Sequence, residues 1–279
     1  MRAISAIDGL TEPAITRRLA ELGVEEGDIL LVHASLSSFG RVAGGAASVL
    51  GALGRVLGTR GTLVVPTFTS GNSDTSSVYR DRIHGLSDRE RAALRNTMPP
   101  FDPETTPSTG MGVLAETVRC DARSVRSGHP QTSFAARGPQ AARITDNHHP
   151  DCHLGEHSPL ARLYELRARV LLLGVGFDRC TAFHLGEYRV PDPPRRTYRC
   201  VVRRNGLRQW WSYDDVALDD SDFGRLGADF ERAAAGEHVR SSLIGAAHCR
   251  LLSLVDSVDY ARHWLPSHRV TAEQRPADS

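Results

Sequence analysis

The chain has 279 residues, 40% hydrophobic and 24% charged, with a formal net charge of +1. That balance describes a globular body with a sizeable core and excludes disorder along most of its length. It offers no basic block for a nucleic-acid footprint, and no stretch approaches the ~20 continuous apolar residues that a bilayer span requires.

In chain order, TEPAITRRLAELG reads as a helix, with Thr11 in the cap position, Pro13 in the first turn and Gly23 as the stop. DILLVHASL reads as a buried strand ending at His33 to Ser35, and Gly44 and Gly45 then open a helix over GRVAGGAASVLGALGRVLG. TLVVPTFT supplies a second buried strand, so strand, helix and strand form a parallel crossover. Gly71 to Pro107 is a polar, proline-containing excursion with one short helix at SDRERAALR, long enough to cover a site. GMGVLAETVR is a helix by apolar spacing, followed by short strands at RSVRS and TSFAARG and a loop from Asn147 to His157. In SPLARLYELRARVLLLGVG, Ser158 caps a helix with Pro159 at its first position, and VLLLGV is a buried strand. TAFHLGEYR follows as a helix, and TYRCVVRRNGLRQWWSY is a hairpin around Asn205-Gly206. DFGRLGADFERAAA and CRLLSLVDSVDYARHWL read as closing helices. Neither repeat nor linker interrupts the pattern, so residues 1–279 read as one α/β domain with 268–279 as a frayed tail.

The chemistry concentrates in a few places. All 34 basic residues are arginines, which removes every lysine-nucleophile mechanism. Five cysteines without a CxxC pair fit reduced thiols, and the N-terminus lacks a basic region before an apolar core, so the cytoplasm is the expected compartment. His184 and Glu187 share a helix face at i and i+3, just beyond a buried strand. An imidazole oriented by a carboxylate can accept a proton near neutral pH. An HxxE elsewhere is usually a surface pair; ligands in open α/β sheets bind beyond strand carboxyl ends, where this one sits. Ser35 and Ser37 with Gly44 and Gly45 precede a helix start, an arrangement that suits phosphate but matches neither GxGxxG nor GxxxxGK[ST]. HHPDCHLGEH gathers His148, His149, His153 and His157, yet its spacing fits no usual zinc pattern. Asp214, Asp215, Asp219, Asp220, Asp222, Asp229 and Glu231 form an acidic stretch that would attract a polycation, although acidic residues near a helix start commonly serve only the helix dipole.

From about Val32 to Phe230, the segments VHASLSSFGRVAGG, GTLVVPTFTSGNSD, FDPETTPSTGMGVLAETVR, RSGHPQTSFAARG, LGEHSPLARLYEL, VLLLGV, TAFHLGEYR and LDDSDFGRLGADFE occur in order. Together they resemble the antibiotic N-acetyltransferase family, best known as aminoglycoside 3-N-acetyltransferases. The resemblance implies an α/β/α fold, with a central, mostly parallel sheet flanked by helices, and not the GCN5-type fold. It implies acetyl-coenzyme A as co-substrate without a metal. The acceptor would be the 3-amino group of a 2-deoxystreptamine aminoglycoside or another polyamine, and the chain a monomer or homodimer. Carried onto this chain, His184 becomes the general base and Glu187 its partner in a direct transfer within a ternary complex. Ser35, Leu36, Ser37, Val42, Gly44 and Gly45 become coenzyme A contacts, and Thr106, Met111 and Arg126 further parts of that cleft. Glu187, Asp229 and Glu231 are the carboxylates expected near the acceptor, the last two from charge alone. Arg179 and Cys180 depart from the family pattern. The same chemistry on a biosynthetic amine, a non-catalytic binder of coenzyme A or antibiotic, and a zinc hydrolase built on the histidine-rich loop are the alternatives.

Overall fold

The computed structural model describes residues 9–233 and 238–269. Seven strands form one sheet in the order β3-β4-β2-β1-β5-β9-β8, and β6 and β7 form a separate hairpin. The strands are β1 (Ile29–Ala34), β2 (Thr62–Pro66), β3 (Val125–Arg126), β4 (Phe134–Arg137), β5 (Arg169–Leu173), β6 (Arg195–Arg204), β7 (Leu207–Val216), β8 (Val239–Ile244) and β9 (Ala247–Ser253). The central strand β1 pairs in parallel with both β2 and β5, whereas the outer ladders are antiparallel. Five of the seven strands therefore point the same way, although only two of the six ladders are parallel.

Alternation along the strands divides the core. Leu30, Val32, Leu63 and Leu171 face one layer, made by α1 (Glu12–Leu22), α2 (Gly45–Leu57) and the segment that becomes α5 (Gly112–Arg119). Leu31, Val64, Val170 and Leu172 face the other. That second layer holds α6 (Ala141–Thr145), α7 (Pro159–Glu165), α8 (Phe183–Arg189), α9 (Phe223–Ala233) and α10 (Leu254–His268). Covering both faces is what allows strands as uniformly apolar as RVLLL to be buried.

Several details differ from the sequence reading. Thr11 occupies the cap position of α1, but its side chain makes no capping bond; Gly23, at φ +104°, does end the helix. The Gly71–Pro107 excursion contains two helices, α3 (Ser77–Arg82) and α4 (Asp88–Thr97). It does not roof a site: Tyr79 and Met98 pack on Val201 of the hairpin, and Arg208 donates to the Met98 carbonyl at 3.0 Å. The stretch expected as one helix from Cys249 is β9 up to Ser253, and only then α10. An apolar run of CRLLSL suits either state, and the open edge of β5 selects the strand. The Asn205-Gly206 turn has both residues at positive φ, as a two-residue hairpin requires. Of the expected tail, His268 closes α10 and Arg269 makes side-chain contacts, while 270–279 lie outside the described residues. Among the described residues, no helix is long and apolar enough to cross a membrane.

Candidate active site

The carboxyl ends of β1, β2 and β5 open into a cleft of about 550 Å³. Its floor and walls come from His33 to Ser37 at and just past the end of β1, Pro66 and Phe68 at and just past the end of β2, Gly110 to Val113 at the start of α5, and Val175 with Asp178 to Thr181 after β5. His184 and Phe223 close one side, with Asp220 beside them. The site thus lies where parallel strands end together and their connections diverge.

After β5, the chain makes a 3-10 turn over Phe177–Arg179 and enters α8. Gly186 lets α8 lie directly on α10: a Cβ there would fall 2.7 Å from the Ala261 Cβ and 3.2 Å from the Val258 carbonyl oxygen. On this close-packed helix, His184 Nδ1 lies 2.6 Å from Glu187 Oε2. A carboxylate only accepts, so Nδ1 carries the proton and Nε2 is left with its lone pair. Nε2 has no protein hydrogen-bond partner among the described residues, and the ring rests against Phe223 with centroids 4.7 Å apart.

Glu187 is 3% exposed, and its second oxygen is also occupied. Oε1 accepts from the Asp219 backbone N–H at 3.1 Å and from the Arg269 guanidinium. Arg269 in turn holds Asp222 through two bonds of 2.8 and 2.6 Å. Burial opposes its charge, but the two carboxylates outweigh that cost and raise its pKa above the usual guanidinium range. Both oxygens of Glu187 are thus bonded within the protein, one of them to His184.

His33, at the end of β1, is a second imidazole in the cleft. Its Nε2 is buried without a hydrogen-bond partner, and its pKa is lowered to about 3 by burial and then by the neighbouring His184. Nearby, the Ser35 and Ser37 hydroxyls are 3.0 Å apart. Met111 occupies the cap position of α5 without a side-chain capping bond, and Gly112, at φ +83°, brings that helix start within Cβ-contact distance (3.1 Å) of the Ala34 carbonyl. Uncapped backbone N–H groups and two hydroxyls at one mouth fit a polar, acyl-bearing ligand such as acetyl-coenzyme A.

Ser35, Leu36, Ser37, Met111 and His184 thus line the cleft. The other residues singled out from sequence do not. Val42 pairs with Leu10, and Gly44 and Gly45, at φ +79° and +59°, form the turn into α2. Arg126 donates to the carbonyls of Thr67 (2.7 Å) and Thr106 (2.5 Å) and to the Ser133 hydroxyl (3.0 Å), so it and Thr106 tie the 103–106 loop to the sheet. Asp229 accepts from Trp264 Nε1 at 2.8 Å, and Glu231 pairs with Arg250 at 2.9 Å. Both stitch α9 to its surroundings, away from the cleft. The cleft carboxylates are Asp178, ion-paired with Arg179 at 3.2 Å, and Asp220. His33 and Asp220 were visible in the sequence as a polar strand end and a member of the acidic stretch; Arg269 carried no local signal.

In the histidine-rich loop, His148 and His153 are buried, whereas His149 and His157 are exposed and stacked on each other. His148 lies 3.0 Å from the Ser127 hydroxyl and from the His153 carbonyl, and His153 Nε2 lies 2.8 Å from the Tyr213 hydroxyl. Among the described residues, no group of three His, Cys, Asp or Glu side chains is arranged to hold a metal ion.

A profile of the aminoglycoside 3-N-acetyltransferase family matches residues 31–266. The chain belongs to that family. It is 36% identical over 261 residues to the SPbeta prophage-derived aminoglycoside N(3')-acetyltransferase-like protein YokD of Bacillus subtilis (strain 168), covering 91% of this chain and 92% of YokD. It is 34% identical over 270 residues to aminoglycoside N(3)-acetyltransferase III of a Salmonella species, covering 92% of each. The YokD crystal structure superposes with a TM-score of 0.85 at 35% identity, over 93% of this chain and all of that one (100%). AAC-IIIb in binary complex with CoASH gives 0.79 at 28% identity, covering 96% of this chain and 99% of that one. AAC-VIa bound to sisomicin gives 0.80 at 27%, covering 94% and 100%. The expected fold and family are therefore those found.

Proposed function

We propose that this chain transfers the acetyl group of acetyl-coenzyme A to an amine of an aminoglycoside, by direct attack in a ternary complex with His184 as general base. The observation that carries this reading is the His184–Glu187 pair at 2.6 Å, its free Nε2 facing a cleft at the strand ends. Relatives solved with CoASH and with sisomicin support the two ligand classes.

Acetyl-coenzyme A supplies an activated acyl group whose thiol can depart. An ammonium is not a nucleophile until it loses a proton, and His184 Nε2 is placed to take it. Glu187 Oε2 holds Nδ1–H and offsets the charge of the imidazolium that forms. Backbone N–H groups at the uncapped start of α5 are available to the developing oxyanion. Asp220 supplies negative charge that an ammonium-rich acceptor meets in the cleft, where Asp178 is already paired with Arg179. Cys180 also lines the cleft, but burial pushes its thiol up to about 12, which suits a wall and not a nucleophile. The 3-amino group is the regiochemistry the family name favours, and the need for acetyl-coenzyme A favours the cytoplasm.

The test is thiol release from acetyl-coenzyme A with kanamycin, gentamicin, neomycin and apramycin, comparing wild type with His184→Ala. Loss of a general base lowers kcat about 100- to 10,000-fold, with coenzyme A binding retained. Equal turnover by the variant, or an acetyl-enzyme isolated before acceptor is added, would overturn the mechanism. Silence across the panel with coenzyme A still bound would move the acceptor to another amine.

A further inference from the structure

We infer that Arg269 is a positioning residue for the reaction, fixing the Glu187 carboxylate and, through it, setting how readily His184 takes a proton. This rests on the reading of His184 as the base. Arg269 lies outside residues 31–266, the span matched by the family profile.

The geometry is a relay of three charged groups. Glu187 is buried, and its two oxygens are divided: Oε2 to His184 Nδ1 at 2.6 Å, Oε1 to the Arg269 guanidinium. Arg269 cannot swing away from this task, because its Nε and Nη2 bond Asp222 at 2.8 and 2.6 Å and Nη2 also bonds the Asp219 carbonyl at 2.5 Å. The guanidinium fork is fixed on Asp222 by two bonds and gives Glu187 Oε1 one more, beside that from the Asp219 backbone N–H. The Glu187 carboxylate is thereby held in the orientation that points Oε2 at the imidazole, and the ring is held with Nε2 toward the cleft. The charge of Arg269 also acts on His184: a cation beyond Glu187 weakens the pull of that carboxylate on an imidazolium, and Asp222 partly cancels the cation. Besides Glu187 on its own helix, the groups that face His184 are His33 from the end of β1, His153 from the histidine-rich loop, and Asp219 and Asp220 from the segment after β7. The Asp178–Arg179 pair and Cys180 complete the cleft rim. Arg269 is the one cation among these that bonds the carboxylate next to His184.

Two opposite substitutions separate this role from a structural one. Histidine NMR titrations would be recorded on wild type, Arg269→Gln, Arg269→Lys and Asp222→Asn, with the His184 signal identified by its loss in His184→Ala. The acid limb of kcat/KM would be measured in parallel with one acceptor, so that the acceptor's own titration is common to all. Removing the cation moves the His184 titration and the acid limb up by about one pH unit. Removing Asp222 moves both down, and Arg269→Lys, which keeps the charge, stays near wild type. The NMR midpoint is read from the folded-state signal alone, and the acid limb is followed only over the pH range in which circular dichroism shows each variant folded. Coincident wild-type and Arg269→Gln titrations would overturn the inference. Titrations that move while the acid limb stays fixed would instead overturn the general-base reading and leave the Arg269 coupling intact.

Discussion

At the scale of single residues, Gly186 sets how closely the helix that carries His184 and Glu187 packs on α10. The HxxE spacing and its place after a buried strand were legible in the sequence, because i and i+3 on a helix must share a face. What the intervening glycine does was not, since its neighbour is the backbone of α10, about seventy residues later; an added Cβ would meet the Ala261 Cβ at 2.7 Å and the Arg262 nitrogen at 3.1 Å. Gly186→Ala should therefore destabilise by about 1–3 kcal/mol despite the better helix propensity of alanine. By pushing α8 off α10, it should also lower kcat more than its effect on folding explains. Thermal melting and single-turnover rates check this; a variant with wild-type values for both would mean that the two helices can part without cost. Arg269 was equally invisible, because a partnership across 82 positions leaves no periodicity.

At the scale of elements, β1, α2, β2, α7, β5 and the β6–β7 hairpin were legible because local rules and burial agree there: uniformly apolar runs, a Ser-Pro start, an Asn-Gly turn. β8 and β9 were not. VRSSLI alternates only weakly, and CRLLS joins the apolar face of α10 without a break, so strand identity there comes from pairing, of β9 with β5 and of β8 with β9. Among the candidate site residues, Arg126 shows the difference between proximity and contact. It braces the loop between α4 and α5, and its buried charge is held down to about 10, first by desolvation and then by Arg119. Arg126→Met should leave the carbonyl of Thr106 without a donor and that of Thr67 with only the Ser133 hydroxyl, and cost about 1–3 kcal/mol. It should also weaken acetyl-coenzyme A binding indirectly, through the Gly110–Met111 wall. If urea unfolding is unchanged while acetyl-coenzyme A affinity falls, Arg126 touches the co-substrate itself and the bracing role is wrong.

At the scale of the whole molecule, the buried imidazoles set a pH limit. His33 is lowered to about 3 and His148 to about 4, mainly by burial, and His129 and His153 lie well below the ordinary value for the same reason. In the unfolded chain, each binds a proton near pH 6.5, whereas in the folded chain each stays neutral to far lower pH. The unfolded state thus holds more protons below pH 6.5, and stability present above that value is lost as pH falls toward 4. The loss reaches about 2 kcal/mol per histidine at pH 5, a large share of a domain's total stability. Denaturant unfolding at pH 7.5, 6 and 5 should show this decline, and a flat profile across that window would contradict it. The sheet order has a consequence of another kind, in time. β5 lies in the interior of the sheet, beside the central β1, yet the strand that covers its second edge, β9, is encoded far downstream. At 5–20 residues per second, a ribosome leaves the apolar RVLLL edge uncovered for on the order of ten seconds. During synthesis, then, the nascent chain carries the strand that will border the cleft as an open template, and the same late arrival that seals it also delivers Arg269 to Glu187.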